Sequence, residues 1–144
     1  PESLLVKERE NGNYRSDVEV YMDGMEVFNF AIRVVPKGVK EIVKEVGTEI
    51  DNADYIVFHQ SNRFMTDFFT KKLKIAGTKI PYCIGKFGNT SSASVPLTIV
   101  SELHDMLSER KSLIMCGFGA GLSWGTAWTT IENCRISPVF DYSK

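Results

Sequence analysis

One histidine, two asparagines and two runs of small residues are the parts of this sequence that could do chemistry. His59 opens the string His59-Gln60-Ser61-Asn62, and a neutral imidazole carries one N–H donor and one acceptor. The second string, Phe87-Gly88-Asn89-Thr90-Ser91-Ser92-Ala93-Ser94, is built mostly of side chains small enough for a backbone or substrate to approach closely. The third, Gly117-Phe118-Gly119-Ala120-Gly121-Leu122-Ser123-Trp124-Gly125, is a glycine-rich turn. Each also has a plainer reading: a structural or exposed histidine, a polar loop with a helix cap, a tight hairpin. A phosphate cradle would need Lys-Ser/Thr after the glycines and a helix beyond them, whereas a strand is predicted there. All three strings follow predicted strands, where layered α/β sheets present their sites. Taken singly, none identifies a function.

The elements that must hold these strings show in the period of the apolar residues. Short β-type runs at Leu4 to Lys7 and Val18 to Met22 flank a polar turn that includes Asn11-Gly12. Val39, Ile42, Val43 and Val46 then share one face of a helix that Gly47 can end. Pro36 has no amide to give, so this helix is expected to start or kink there. Ala53 to Phe58 is almost wholly apolar, as suits a strand buried on both faces, and it leads directly into His59. Phe64, Met65, Phe68, Phe69 and Leu73 recur at helical spacing with Gly77 just beyond, a stripe best read as core packing. Ile80 to Ile84 predicts another strand, and Lys86 to Val95 a loop. Ser94 is expected to cap a third helix, with Pro96 in its first turn and Leu97, Val100, Leu103 and Leu107 along its buried face. Ser112 to Cys116 predicts a strand, Gly117 to Gly121 a turn and Trp124 to Ile131 a final strand. The order β-β-α-β-α-β-α-β-β describes an α/β layered domain, helices covering an internal sheet.

Composition narrows the class of partner. A length of 144 residues suits one domain, and 43% hydrophobic with 24% charged residues argues against disorder. A net charge of -1 and the lack of a basic run give no attraction to nucleic acid or an anionic membrane. No apolar stretch approaches the ~20 residues of a spanning helix. The opening PESLLVKERE lacks a signal peptide's order, so the chain reads as cytoplasmic. Cys83, Cys116 and Cys134 are odd in number and widely spaced, which predicts neither a disulfide framework nor a structural zinc site. A start at Pro1 rather than methionine is weak evidence for a piece of a longer chain.

Together the three strings say more than they do apart. HQSN, then GNTSSASVP, then GFGAGLSWG, in this order and spacing, closely resemble the C-terminal half of the β-ketoacyl-acyl-carrier-protein synthase III family of thiolase-like condensing enzymes. MDGMEVFNFA, at Met22 to Ala31, resembles the segment that opens this half, and the likeness runs from about Asp17 to Ile131. The resemblance implies a thiolase-like half-fold, the second of two similar halves, with residues 1–144 as one C-terminal domain. In this family an acyl group is loaded on a cysteine, a malonyl thioester loses carbon dioxide, and the carbanion attacks the acyl thioester. The resemblance therefore implies, for the full-length parent, decarboxylative condensation of an acyl-CoA primer with malonyl-acyl-carrier protein in fatty acid biosynthesis. It also implies a homodimer and no cofactor or metal.

Residue by residue, the resemblance makes His59 and Asn89 the two uncharged donors to the enolate oxygen formed on decarboxylation. Donors aimed at charge that develops in the transition state lower the barrier rather than merely bind. Ala120 would lend a backbone amide to a second oxyanion hole, at a position where the family often has glycine. Gly24 and Phe28 match residues lining the pantetheine tunnel, and Asn62 a polar contact within it. Arg63 is assigned to carrier-protein docking, although the family often has its arginine one residue later, where this chain has Phe64.

The family's nucleophilic cysteine sits at a helix N-terminus in the other half of the fold, a setting that favours the thiolate. Cys83 falls in a predicted strand, Cys116 at a strand end and Cys134 in the tail, so none is expected to serve. Without its N-terminal half the chain is expected to be inactive. Two further readings stay open: another thiolase-superfamily acyltransferase, of polyketide or head-to-head condensing type, and a non-catalytic module that binds acyl-CoA or a carrier protein. An upstream reading frame with a cysteine between a strand and a helix separates the enzyme from the module.

Overall fold

The fold is taken from a computed structural model that describes residues 2–10, 12–16, 18–19, 21–106 and 108–140. The chain opens with two short antiparallel strands, β1 (Lys7–Glu8) and β2 (Tyr14–Arg15), Lys7 opposite Arg15. These are displaced from the two expected runs: Leu4 lies in a 3-10 turn and Val18 in a turn. Asn11, Asp17, Val20 and Leu107 lie outside the described residues.

Helix α1 (Gly24–Val46) starts where Asp23 can cap it, its Oδ1 accepting from the Met25 and Glu26 amides, both at 3.0 Å. It stops at Gly47, whose φ of 72° is left-handed and costs glycine least. The Gly47 N–H then reaches the Lys44 carbonyl at 3.1 Å, and Thr48 N–H that of Val43 at 2.9 Å. Pro36 lies inside this helix rather than at its start. The proline removes one backbone bond to Ile32, but the buried stripe Phe30, Ala31, Val34, Val35, Val39 and Val43 holds the helix on both sides of it.

Strand β3 (Tyr55–Phe58) pairs in parallel with β4 (Lys111–Gly119), Ile56 opposite Ile114 and Phe58 opposite Cys116. β4 pairs antiparallel along its length with β5 (Ser123–Ile131), giving the order β3-β4-β5. Side chains alternate across this sheet. Ile56, Phe58, Ile114, Cys116 and Phe118 turn toward α1 and α2 (Arg63–Leu73), meeting Met65, Phe69 and Leu73. Val57 and Leu113 turn the other way, toward Leu103, Val95 and Ile99. Contact on the first face is close: a Cβ at Gly38 would lie 2.6 Å from Thr126 Oγ1 on β5.

The expected strand at Ile80 to Ile84 does not form. Residues 80–83 are irregular and run into a four-residue helix, α3 (Ile84–Phe87). Pro81 has no amide for a ladder, and the Cys83 amide is already given to Gln60 Oε1 at 3.2 Å. Cys83 thus stands before a short helix rather than within a strand. Helix α4 (Ser94–Glu102) begins at Ser94 itself, and no side chain caps it. Its buried positions are Ser94 and Thr98, while Leu97 and Val100 are only half-buried; Leu103 is buried just past its end. The serine expected to cap this helix has other work.

Candidate active site

β3 ends at Phe58, and His59 extends the parallel pairing by donating its N–H to the Cys116 carbonyl at 2.8 Å. That fixes the imidazole at the carboxyl end of the sheet. Its Nδ1 lies 2.6 Å from Ser94 Oγ, and its ring meets Phe118 edge to face, centroids 5.1 Å apart at 79°. Phe118 in turn meets Phe69 at 5.6 Å, so the histidine ring is tied to the aromatic core. Burial of the half-exposed ring pushes its pKa below the ordinary 6.5, because the imidazolium loses hydration. His59 is therefore neutral at neutral pH, with one N–H to offer.

Gln60 behind it is fully buried and bonded through both its side-chain oxygen and its side-chain nitrogen. Its Nε2 donates to the Phe58 carbonyl at 2.9 Å, its Oε1 accepts the Cys83 N–H, and its own N–H points to Ser94 Oγ at 3.4 Å. Thr98 Oγ1 donates to the Ser94 carbonyl at 2.7 Å and lies 3.1 Å from Cys83 Sγ. Three distant segments are thereby joined behind the histidine: the end of β3, the irregular stretch before α3, and the start of α4.

Asn89 stands in the open. It follows Gly88, which takes φ 70°, and its Oδ1 accepts the Ser91 N–H at 2.9 Å. That bond leaves the side-chain amide N–H groups as what Asn89 presents to a ligand. Ser91 takes φ 54°, a left-handed value uncommon for serine and of the kind that gathers at functional loops.

Ala120 occupies the turn between β4 and β5, where its carbonyl accepts the Ser123 hydroxyl at 2.9 Å. The positive φ angles fall on Gly119 (157°) and Gly121 (137°) and not on Ala120. Alanine therefore fits this position without backbone strain. At Gly121 a side chain would also come within 3.1 Å of the Ser123 nitrogen.

One open cleft of about 880 Å³ is lined by His59, Asn89, Ala120, Gly24, Phe28 and Asn62. Six of the seven residues singled out in the sequence thus meet at one place. Arg63 does not line it; it is exposed on α2, 3.7 Å from Asp67 and with its guanidinium 4.9 Å over the Tyr82 ring. Asn62 has a second task as cap of α2, its Oδ1 accepting the Met65 N–H at 2.9 Å, so its amide N–H groups face any ligand. Sequence reasoning missed Ser94 and Phe118 as partners of His59. Both stood inside the strings already noticed, but nothing local marks which side chain will meet the ring.

None of the three cysteines lines the cleft. Cys116 is buried and its thiol is pushed up to about 12 by loss of solvent, only partly opposed by a hydrogen bond with Thr126. Cys83 is buried too, and Cys134 is exposed. Among the described residues no three His, Cys, Asp or Glu side chains could hold a metal, and no helix is long and apolar enough to cross a membrane.

Known proteins resemble this chain in sequence and fold. The sequence family described as 3-oxoacyl-[acyl-carrier-protein (ACP)] synthase III C terminal matches residues 43–131. The β-ketoacyl-[acyl-carrier-protein] synthase III of Streptococcus sanguinis SK36 is 38% identical over 114 residues, 76% of this chain and 35% of the relative. The crystal structure of a 3-oxoacyl-(acyl-carrier protein) synthase from Burkholderia xenovorans LB400 is similar with a TM-score of 0.81 at 40% identity, covering 86% of this chain and 36% of that one. The β-ketoacyl-[acyl-carrier-protein] synthase III of Thermus thermophilus gives 0.76 at 30% identity, over 90% and 41% of the two chains. This chain spans little more than a third of the length of these relatives.

Proposed function

Because the chain belongs to the C-terminal family of 3-oxoacyl-[acyl-carrier-protein] synthase III, with its thiolase-like fold, we propose that residues 1–144 form the half of a condensing enzyme that makes the malonyl-derived carbanion. The observation that carries this is the placement of two uncharged donors, the His59 ring and the Asn89 amide, on one cleft. When the bond between the malonyl α-carbon and its carboxylate breaks, carbon dioxide leaves and the electron pair passes onto the thioester oxygen. N–H groups from His59 and Asn89 meet that oxygen as it becomes anionic. Each such donor typically removes about 3–4 kcal/mol from a barrier. The enolate carbon then attacks an acyl thioester on a cysteine supplied by the other half of the enzyme. The Ala120 amide contributes to holding the second oxyanion, and the cysteine leaves as thiolate.

Gly24, Phe28 and Asn62 bind the pantetheine arm, an assignment supported by their place on the cleft wall. Arg63, outside the cleft on α2, serves the acidic carrier protein. No cofactor is needed, since the thioester carbonyl itself serves as the electron sink. The reading extends to a cytoplasmic homodimer acting on an acyl-CoA primer in fatty acid biosynthesis. The test is condensation by the full-length protein given acyl-CoA and malonyl-acyl-carrier protein, beside residues 1–144 alone. Ketoacyl product from the full-length protein, with neither product nor acyl adduct from the shorter chain, is expected. Steady turnover through Cys83, Cys116 or Cys134 in the shorter chain would overturn the division of labour.

A further inference from the structure

Ser94 is 1% exposed, and its hydroxyl has one proton to give. The Gln60 N–H points at its oxygen from 3.4 Å, and His59 Nδ1 lies 2.6 Å away. Were Nδ1 protonated, Ser94 Oγ would accept from both neighbours, and its own proton would be buried with no partner beside them. Were Nδ1 bare, Gln60 N–H would donate to Oγ, Oγ–H would donate to Nδ1, and every proton would be used. Buried donors are seldom left without acceptors. We propose that Ser94 is a positioning residue that sets the tautomer of His59, keeping Nδ1 bare and the N–H on Nε2, the nitrogen that Ser94 does not touch.

The surroundings fix Ser94 for this purpose. It is the first residue of α4 and yet does not cap the helix, so its hydroxyl is not drawn to that helix's own backbone. Its carbonyl is held by Thr98 at 2.7 Å, and Thr98 leans on Cys83, whose amide is held by Gln60. The start of α4 also brings positive partial charge toward Nδ1, which opposes a proton there. A hydroxyl held in this way does for the ring what a carbonyl or carboxylate does in the opposite sense, choosing which nitrogen carries hydrogen.

The inference rests on the condensing reading for its consequence but not for its test. Nitrogen NMR of the histidine-labelled full-length protein distinguishes a bare ring nitrogen from a protonated one at neutral pH. The wild type is expected to show Nδ1 bare and Nε2 protonated. In Ser94→Ala the two tautomers should mix, and malonyl decarboxylation should fall about 10- to 100-fold, short of the roughly 100- to 1,000-fold expected for losing a donor outright. Acyl transfer to the cysteine and the KM for malonyl thioester should change little, and Ser94→Thr, which keeps the hydroxyl, should restore the wild-type spectrum. A protonated Nδ1 in the wild type overturns the proposal without any variant, as does an unchanged spectrum in Ser94→Ala. A wild-type Nε2–H tautomer that becomes mixed in Ser94→Ala, in a protein that decarboxylates no malonyl thioester, upholds Ser94's role and sinks the condensing reading instead.

Discussion

The two donors on the cleft are held in opposite ways. His59 is set by elements far apart in sequence: β3 behind it, the Cys116 carbonyl on its amide, Ser94 at its Nδ1 and Phe118 edge to face with its ring. Asn89 is exposed and set from within its own loop, by the Ser91 amide two residues on. One is a product of the whole fold and the other of a turn. On the proposed reading one developing oxyanion must meet both, so the site would join a part packed into the core to a part held only by its own loop.

The sharpest way to break this contrast is to remove each donor in the full-length enzyme. His59→Ala and Asn89→Ala should each slow malonyl decarboxylation by roughly 100- to 1,000-fold, with acyl loading surviving. Their losses should combine less than additively, because both serve one oxygen. Only His59→Ala should also lower the unfolding midpoint, and a matching drop in Asn89→Ala would erase the distinction.

Behind the histidine the effect moves from rate to stability. Gln60→Leu leaves the Phe58 carbonyl and Cys83 amide without their partner in a fully buried place. An unfolding free energy lower by about 2–3 kcal/mol is expected from denaturant titration. A loss under about 0.5 kcal/mol would mean that the network is not what supports His59.

The smallest effect lies in the pH dependence. His59 titrates lower in the fold than its ordinary 6.5, so the unfolded chain binds more protons between those two values. Its share of stability is complete above about 6.5 and is lost as pH falls toward the lower folded value. His59→Gln should flatten that acid-side slope, whereas Asn89→Gln should leave it intact. An unaltered slope in His59→Gln would show that the proton uptake belongs elsewhere.

Much of this was legible in the sequence because it was local. The αL stop at Gly47, the strand leading into His59 and the apolar stripe of α2 follow from residues near one another in the chain, except that Phe64, expected in that stripe, is exposed and stacks on Phe28 instead. Ile80 to Ile84 misled for the same reason: a short apolar run fits a strand or a buried irregular segment equally well, and only Gln60, more than twenty residues away, decides. Pro36 misled because tertiary packing along α1 outweighs one missing backbone bond. Ser94 fits a cap by type and position, and only the fold shows that His59 takes its hydroxyl instead. The cleft residues could be named from the resemblance, but the means by which they are held could not.

Assembly order follows from the parallel pairing of β3 with β4. β5 returns on β4 through Ala120, Gly121 and Leu122, so that hairpin closes at small entropic cost. β3 must wait for residues 59–110 to loop round before Phe58 finds Cys116. Non-local pairings of this kind are the slow ones. By sequence separation, the bond from His59 to Cys116 that orients the imidazole is expected to form after the β4–β5 hairpin, so the hairpin should precede a correctly held histidine.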